Sequence, residues 1–292
     1  MNVMLLAAGL GTRLRPFTEK VPKPAIPFLG IPLGYYPLAL LDEIKIEKLV
    51  VNTHHLPEQI EQLYRALGKK AIFSNESPSI LGSGGGIRQA LPHLLGQGSF
   101  LVANADEIIL PEQPYLIKEA LQFHNWHKGI ATLVAMPHPS VGTKFGGIWG
   151  QVGVDGSFRV QEFSKTNVPN LQGLHFLGVM IFKDSIANYF SKDTATEENI
   201  LYETLTSAML AGEQVYAYSI PQTHWFETGN PTDFLQAERV CANAILADEP
   251  WTNLLKVTLN LFNSQSQRSF LLEAEEASLQ ELIQKVWQKL GL

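Results

Sequence analysis

The chain has 292 residues, 45% of them hydrophobic and 17% charged, with a formal net charge of −6. That apolar content suffices for one large domain, or for a domain with a small appendage. The acidic balance excludes a general nucleic-acid binder, whose affinity rests on many lysine and arginine contacts to phosphate.

The first apolar run, Val3–Ala7, reads as a strand and leads into LLAAGLGTRLRPFTEKVPKP, from Leu5 to Pro24. Arg13 and Arg15 follow it too soon for the hydrophobic region of a secretory signal. Helical stretches are expected at Leu38–Ile44, at Pro57–Leu67 with Pro57 in a favoured first position, at Ile87–Leu95 and at Pro114–His127. Strands are expected between them at Lys48–Thr53, Lys70–Asn75, Ser99–Asn104 and Ile130–Met136. This alternation implies right-handed βαβ crossovers and an α/β, three-layer, Rossmann-like sheet, with strands apolar on both faces because helices cover both sides.

The second half changes character. Gly146–Lys165 alternates around Asp155-Gly156, a hairpin signal, and strands follow at Leu174–Phe182 and Gln214–Ile220. An antiparallel section inserted in a mixed sheet is the expected result. The tail reads as helical. Pro231 opens a helix through Asp233–Leu246, and Ser278 with Glu281 forms a capping box before Leu279, Leu282, Ile283, Val286, Trp287 and Leu290. That last helix buries a face against its own domain or against a second subunit, so a homo-oligomer stays open. A domain at 1–240 with a helical extension at 241–292 is the expected division. No hexapeptide repeat is visible, which excludes a C-terminal β-helix. No apolar run reaches the ~18–20 residues of a membrane helix. Cys241 is the only cysteine, which excludes a disulfide framework and points to a reducing, cytoplasmic setting.

Gly9 and Gly11 end the first strand in a loop whose backbone N–H groups suit a phosphate. A G-x-G alone is weak, and a tight turn with surface arginines is its plain rival. A dinucleotide fingerprint needs a third glycine where Leu14 stands, and an ATPase loop needs a Gly-Lys-Ser/Thr ending that is missing.

The whole stretch, with its arginines and Pro22-Lys23-Pro24, resembles the signature of the sugar-1-phosphate nucleotidylyltransferases. The resemblance continues in order through LGSGGGIRQAL (Leu81–Leu91), VANADEI (Val102–Ile108), FLGVMIF (Phe176–Phe182) and HWFETGNP (His224–Pro231), covering about residues 1–240. It lies nearest the uridylyl and guanylyl branches of that family.

The resemblance implies an NTP, a sugar-1-phosphate and Mg²⁺ as partners, and a cation-driven in-line displacement at phosphorus rather than a nucleophilic side chain. By it, Arg13 and Lys23 are catalytic, with Arg15 supporting the loop. Ala8, Gly9, Gly11, Thr12, Glu76, Gly84 and Gly85 hold the nucleotide, within a base rim from Ser83 to Gly86. Asn104, Glu162, Lys165 and Gly178 meet the sugar phosphate, with Glu203 a weaker candidate. Asp106 and Glu227 hold the metal, and Glu107 points elsewhere. Glu227 departs from the family's aspartate, and Lys165 lacks the family's flanking residues. The SGGGI wording favours UTP, whereas Glu76 facing a guanine favours GTP; UTP is placed ahead. A regulatory subunit that binds nucleotide-sugar without turnover is the rival that Glu227 keeps alive. The histidines show no metal-ligand spacing.

Overall fold

The computed structural model describes residues 1–112, 115–265 and 277–291. Strands β1 (Asn2–Leu6), β2 (Pro27–Phe28), β3 (Ile31–Pro32), β4 (Lys48–Thr53), β5 (Ala71–Asn75), β6 (Ser99–Asn104), β7 (Ile108–Pro111) and β8 (Ala131–Met136) alternate with helices in the first half. Those helices are α1 (Phe17–Lys20), α2 (Tyr35–Leu41), α3 (Pro57–Ala66), α4 (Gly82–Leu94) and α5 (Leu116–His127). Then come β9 (Gly147–Val152), β10 (Phe158–Ser164), β11 (Gln172–Lys183), a π-helical turn (Ile200–Leu205), α6 (Thr206–Leu210), β12 (Val215–Ser219) and β13 (Thr223–Phe226). Helices α7 (Pro231–Leu246), α8 (Asn253–Gln265) and α9 (Ala277–Leu290) complete the described chain.

Nine strands form one mixed sheet in the order β5-β4-β1-β6-β11-β8-β12-β10-β9. Strands β5, β4, β1 and β6 are parallel, and β11 runs antiparallel to both β6 and β8. The hairpin of β9 and β10 closes the far edge, turning at Gly156 with φ +79 as the Asp-Gly pair implied. Side chains alternate across the sheet. Val3, Leu5, Val51 and Leu101 enter one apolar core, while Met4, Val50, Phe100 and Val102 enter the other. The three-layer Rossmann-like expectation therefore holds, and the strand order reverses between β1 and β6, where ligands of open α/β sheets bind.

Three local readings differ, and a fourth falls outside the described residues. Helix α2 starts three residues early, because Tyr35 and Tyr36 already belong to its buried face. Helix α4 begins at Gly82, so the glycines coil into its first turns rather than forming a loop. Helix α5 is described from Leu116, and its expected start at Pro114 lies outside the described residues. Ser278, expected as a cap, is the second residue of α9, and its hydroxyl accepts a long 3.4 Å hydrogen bond from Arg239.

Helix α7 crosses residue 240 without a break. Helix α9 packs on it, burying Leu279 and Val286, while Lys289 bonds the Leu246 carbonyl at the end of α7 at 2.8 Å. Among the described residues no helix is long and apolar enough to cross a membrane.

Candidate active site

A cleft of about 360 Å³ opens at the carboxyl ends of β1, β4 and β6. Ala8, Gly9, Gly11, Thr12 and Arg13 form one wall, and Lys23, Glu76, Asn104 and Asp106 also line it. The glycine loop is anchored from behind. Gly11 (φ +60) leaves no room for a Cβ, which would meet Thr18 Cγ2 at 2.7 Å, and the Thr18 hydroxyl donates to the Gly11 carbonyl at 2.9 Å. His55 Nε2 lies 2.6 Å from the Thr18 carbonyl and ties the same loop to the segment after β4.

Charge is concentrated on two pairs. Lys23 Nζ lies 2.6 Å from Asp106 Oδ2, with side chains 14% and 27% exposed. Arg13 stands out at 70% side-chain exposure, its Nη1 3.7 Å from Glu227 Oε1. The same Glu227 oxygen accepts from Gly229 N at 2.6 Å, so this carboxylate is turned onto its own loop. Thr228 Oγ1 donates to the Asp106 carbonyl at 3.1 Å and joins that loop to the end of β6.

Glu107 points away from Asp106, as expected. It is half-buried, accepting from Trp225 Nε1 at 2.7 Å and Asn104 Nδ2 at 3.1 Å. Burial above all, and the neighbouring Asp106 charge next, raise its carboxyl to about 7. Gly178 (φ +78) lies against this pair, where a Cβ would meet Glu107 Cγ at 2.7 Å.

Several expected contacts fall elsewhere. Gly84 and Gly85 are buried: a Cβ on Gly84 would meet Glu198 Cγ at 2.9 Å, and one on Gly85 would meet Leu81 Cβ at 2.8 Å. These glycines let α4 approach its neighbours, and Gly82 and Ser83 line the cleft instead. Glu76 does line it, but its oxygens are engaged by Asn52 Nδ2 at 2.6 Å and Leu81 N at 2.7 Å, and burial raises its carboxyl. Glu162 and Lys165 are exposed on β10 and just after it, outside the cleft lining. Glu203 accepts from Asn199 N and so caps its own helical turn.

Asn52 is the residue that sequence reasoning missed. Its Oδ1 accepts from Ala7 N at 2.6 Å while its amide holds Glu76, which stitches the exits of β1 and β4 together. A polar residue closing an apolar strand at the ligand-binding edge was the available signal. Among the described residues no group of three or more His, Cys, Asp or Glu side chains is arranged to hold a metal. An Asp106-based site would therefore draw further ligands from substrate phosphates and water.

A Rossmann-like sheet with a glycine–arginine loop, a lysine and an aspartate at its switch point defines a nucleotide-handling transferase. The chain belongs to the nucleotidyl transferase family, whose sequence model matches residues 2–243. A probable mannose-1-phosphate guanylyltransferase 2 of Arabidopsis thaliana is 26% identical over 261 residues, covering 86% of this chain and 67% of its own. An N-acetylmuramate alpha-1-phosphate uridylyltransferase of Caulobacter vibrioides is 41% identical over 110 residues, 36% of this chain and 45% of that protein. The solved apo UDP-glucose pyrophosphorylase shares the fold at a TM-score of 0.68 and 19% identity, covering 82% of this chain and 97% of that one. The chain spans about two thirds of the length of the guanylyltransferase relative.

Proposed function

We propose that the chain transfers a nucleotidyl group from an NTP, with UTP ahead of GTP, to a sugar-1-phosphate, giving an NDP-sugar and pyrophosphate. The observation that carries this is the Lys23–Asp106 pair at 2.6 Å, set in a cleft that Arg13 and the glycine loop also line. A phosphate oxygen of the sugar phosphate attacks the α-phosphorus, a new P–O bond forms, and the α–β bridge breaks with its electron pair leaving on pyrophosphate. The attacking monoester has a second pKa of ~6 and is already largely dianionic, so no general base is needed.

In this reading Arg13 meets the departing pyrophosphate, and Lys23 neutralises the reacting phosphates. The backbone around Gly9–Thr12 supplies donors, so the chain's task is to bring two polyanions together and hold them in line. Asp106 fits Mg²⁺ as a hard, partly exposed oxygen donor whose present partner is itself a cation. Glu227 fits less well, because Gly229 N and Arg13 hold its oxygen. When bound, Mg²⁺ would neutralise triphosphate charge.

The test is pyrophosphate release from a panel of four NTPs and common sugar-1-phosphates with magnesium present. Release with UTP above GTP supports the full reading, and preference for GTP would reassign it to guanylyl transfer. Tight nucleotide binding with no release from any pair would overturn it in favour of a regulatory subunit.

A further inference from the structure

Lys23 opens a 3-10 turn (Lys23–Ala25) that passes directly into the β2–β3 hairpin. The two are one rigid piece: Leu33 N donates to the Ile26 carbonyl at 2.9 Å and Gly34 N to the Pro24 carbonyl at 2.8 Å. The hairpin turns at Leu29 (φ +51) and Gly30 (φ +82), and Leu29 is fully buried. A turn buried this way needs partners for backbone groups that no strand satisfies.

Both partners come from the other end of the chain. Leu29 N donates to Glu238 Oε1 of α7 at 2.8 Å, and the Leu29 carbonyl accepts from Trp287 Nε1 of α9 at 3.0 Å. Phe28 beside it stacks edge-on against Phe234 of α7 at 5.6 Å, and its carbonyl accepts from the Tyr36 hydroxyl at 2.8 Å. Helix α9 is in turn fastened to the end of α7 by Lys289, which bonds the Leu246 carbonyl at 2.8 Å and Asp248 at 2.6 Å. Trp287 lies beyond the family match at 2–243, whereas Leu29 and Glu238 lie within it.

We propose that Glu238 and Trp287 are positioning residues that, by holding the two backbone groups of Leu29, fix the hairpin and thereby Lys23 opposite Asp106. The clamp itself is independent of the reaction; its effect on turnover rests on the nucleotidyl-transfer reading above.

The experiment compares the full chain with Trp287→Phe, which keeps the ring and deletes the donor, with Glu238→Leu, which deletes the acceptor, and with Glu238→Gln, which keeps it. Hydrogen exchange over residues 22–33 and acetylation of Lys23 by an amine reagent are read without substrate, and kcat and KM are read per folded molecule. Losing one such hydrogen bond is worth ~1 kcal/mol, or about fivefold in an opening equilibrium. Trp287→Phe and Glu238→Leu are expected to speed hairpin exchange and Lys23 acetylation about fivefold and to lower kcat more than they raise KM. Glu238→Gln is expected to follow the wild type. Should Glu238→Leu fail to fold, Trp287→Phe decides alone. Unchanged exchange in Trp287→Phe overturns the clamp, as does faster exchange with Lys23 acetylation and kcat both unmoved. If the wild type releases no pyrophosphate from any pair, the reaction reading fails, and exchange and acetylation still decide the clamp.

Discussion

The ammonium of Lys23 and the carboxylate of Asp106 meet at 2.6 Å on the cleft wall, each side chain less than a third exposed. In the structure each charge satisfies the other, and in the proposed reaction both must change partners. Lys23 passes to phosphate oxygen, and Asp106 is freed for a cation. Lys23→Ala and Asp106→Ala are each expected to cut pyrophosphate release at least ~100-fold, the scale of losing one electrostatic stabiliser. Each single change leaves a partly buried charge unpaired and is expected to lower stability by about 1–3 kcal/mol. A Lys23→Met/Asp106→Asn double variant should recover part of that loss in thermal denaturation. Equal turnover in wild type and both single variants would remove the mechanism.

Arg13 provides the opposite case. At 70% exposure, with its carboxylate partner 3.7 Å away, it contributes little to folding. Arg13→Ala is expected to lose turnover ~100-fold while its stability stays within about 0.5 kcal/mol of wild type. Parallel kinetics and denaturation separate the two effects.

Two glycines of the site should respond differently to alanine. A Cβ on Gly86 would lie 2.5 Å from Glu76 Oε1 and 2.7 Å from Asn52 Nδ2, inside the hydrogen bond that joins them. Gly86→Ala is expected to destabilise by about 1–3 kcal/mol, the usual range for overpacking. A Cβ on Gly9 would have nothing within 4 Å, so Gly9→Ala should fold unchanged. A melting temperature equally lowered in both would contradict the packing described.

Glu238 carries a pH signature. Burial raises its carboxyl from 4.5 to about 7 in the folded chain, against the lowering effect of the Leu29 amide and Arg239. The folded state therefore binds this proton more tightly than the unfolded state. The group's stabilising contribution is complete below pH 4.5 and is lost as pH rises through about 7. His124 and His175, lowered by burial from 6.5 to about 4, act in the reverse sense and gain stability as pH rises over that window. Glu238 is thus best isolated by difference: the stability of wild type relative to Glu238→Gln should fall by up to about 3 kcal/mol between pH 5 and 8. A pH-independent difference would show that the carboxyl does not titrate in this range.

Chelation is the simplest of the tests. EDTA is expected to abolish pyrophosphate release and excess Mg²⁺ to restore it, because two polyanions must share a cleft holding few cations. Full release in EDTA would remove the metal from the scheme.

Local signals carried the strands. Leu49–Val51 and Phe100–Ala103 are short apolar runs with polar residues on both sides, and the structure has strands at the expected bounds Lys48–Thr53 and Ser99–Asn104. Arg13, Lys23 and Asp106 were singled out by their places in the motifs that carry the family resemblance, and all three line the cleft. What was not legible depends on partners distant in the chain. Nothing near Gly84 announces Glu198, whose Cγ and carbonyl require it to be small, and nothing near Glu76 announces Asn52 and Leu81 N. Leu29 likewise reads as one more apolar residue until Glu238 and Trp287 are seen holding it.

The span between Leu29 and Trp287 also has a consequence in time. The two are 258 residues apart, so at common translation rates about 10–50 s separate their emergence from the ribosome. Throughout that interval the carbonyl at the hairpin tip lacks the donor that closes it. The nascent chain can build its parallel strands early, but the lysine's platform is finished last. A half-made polypeptide would thus carry a looser hairpin beneath Lys23, which tightens only when the closing helix arrives.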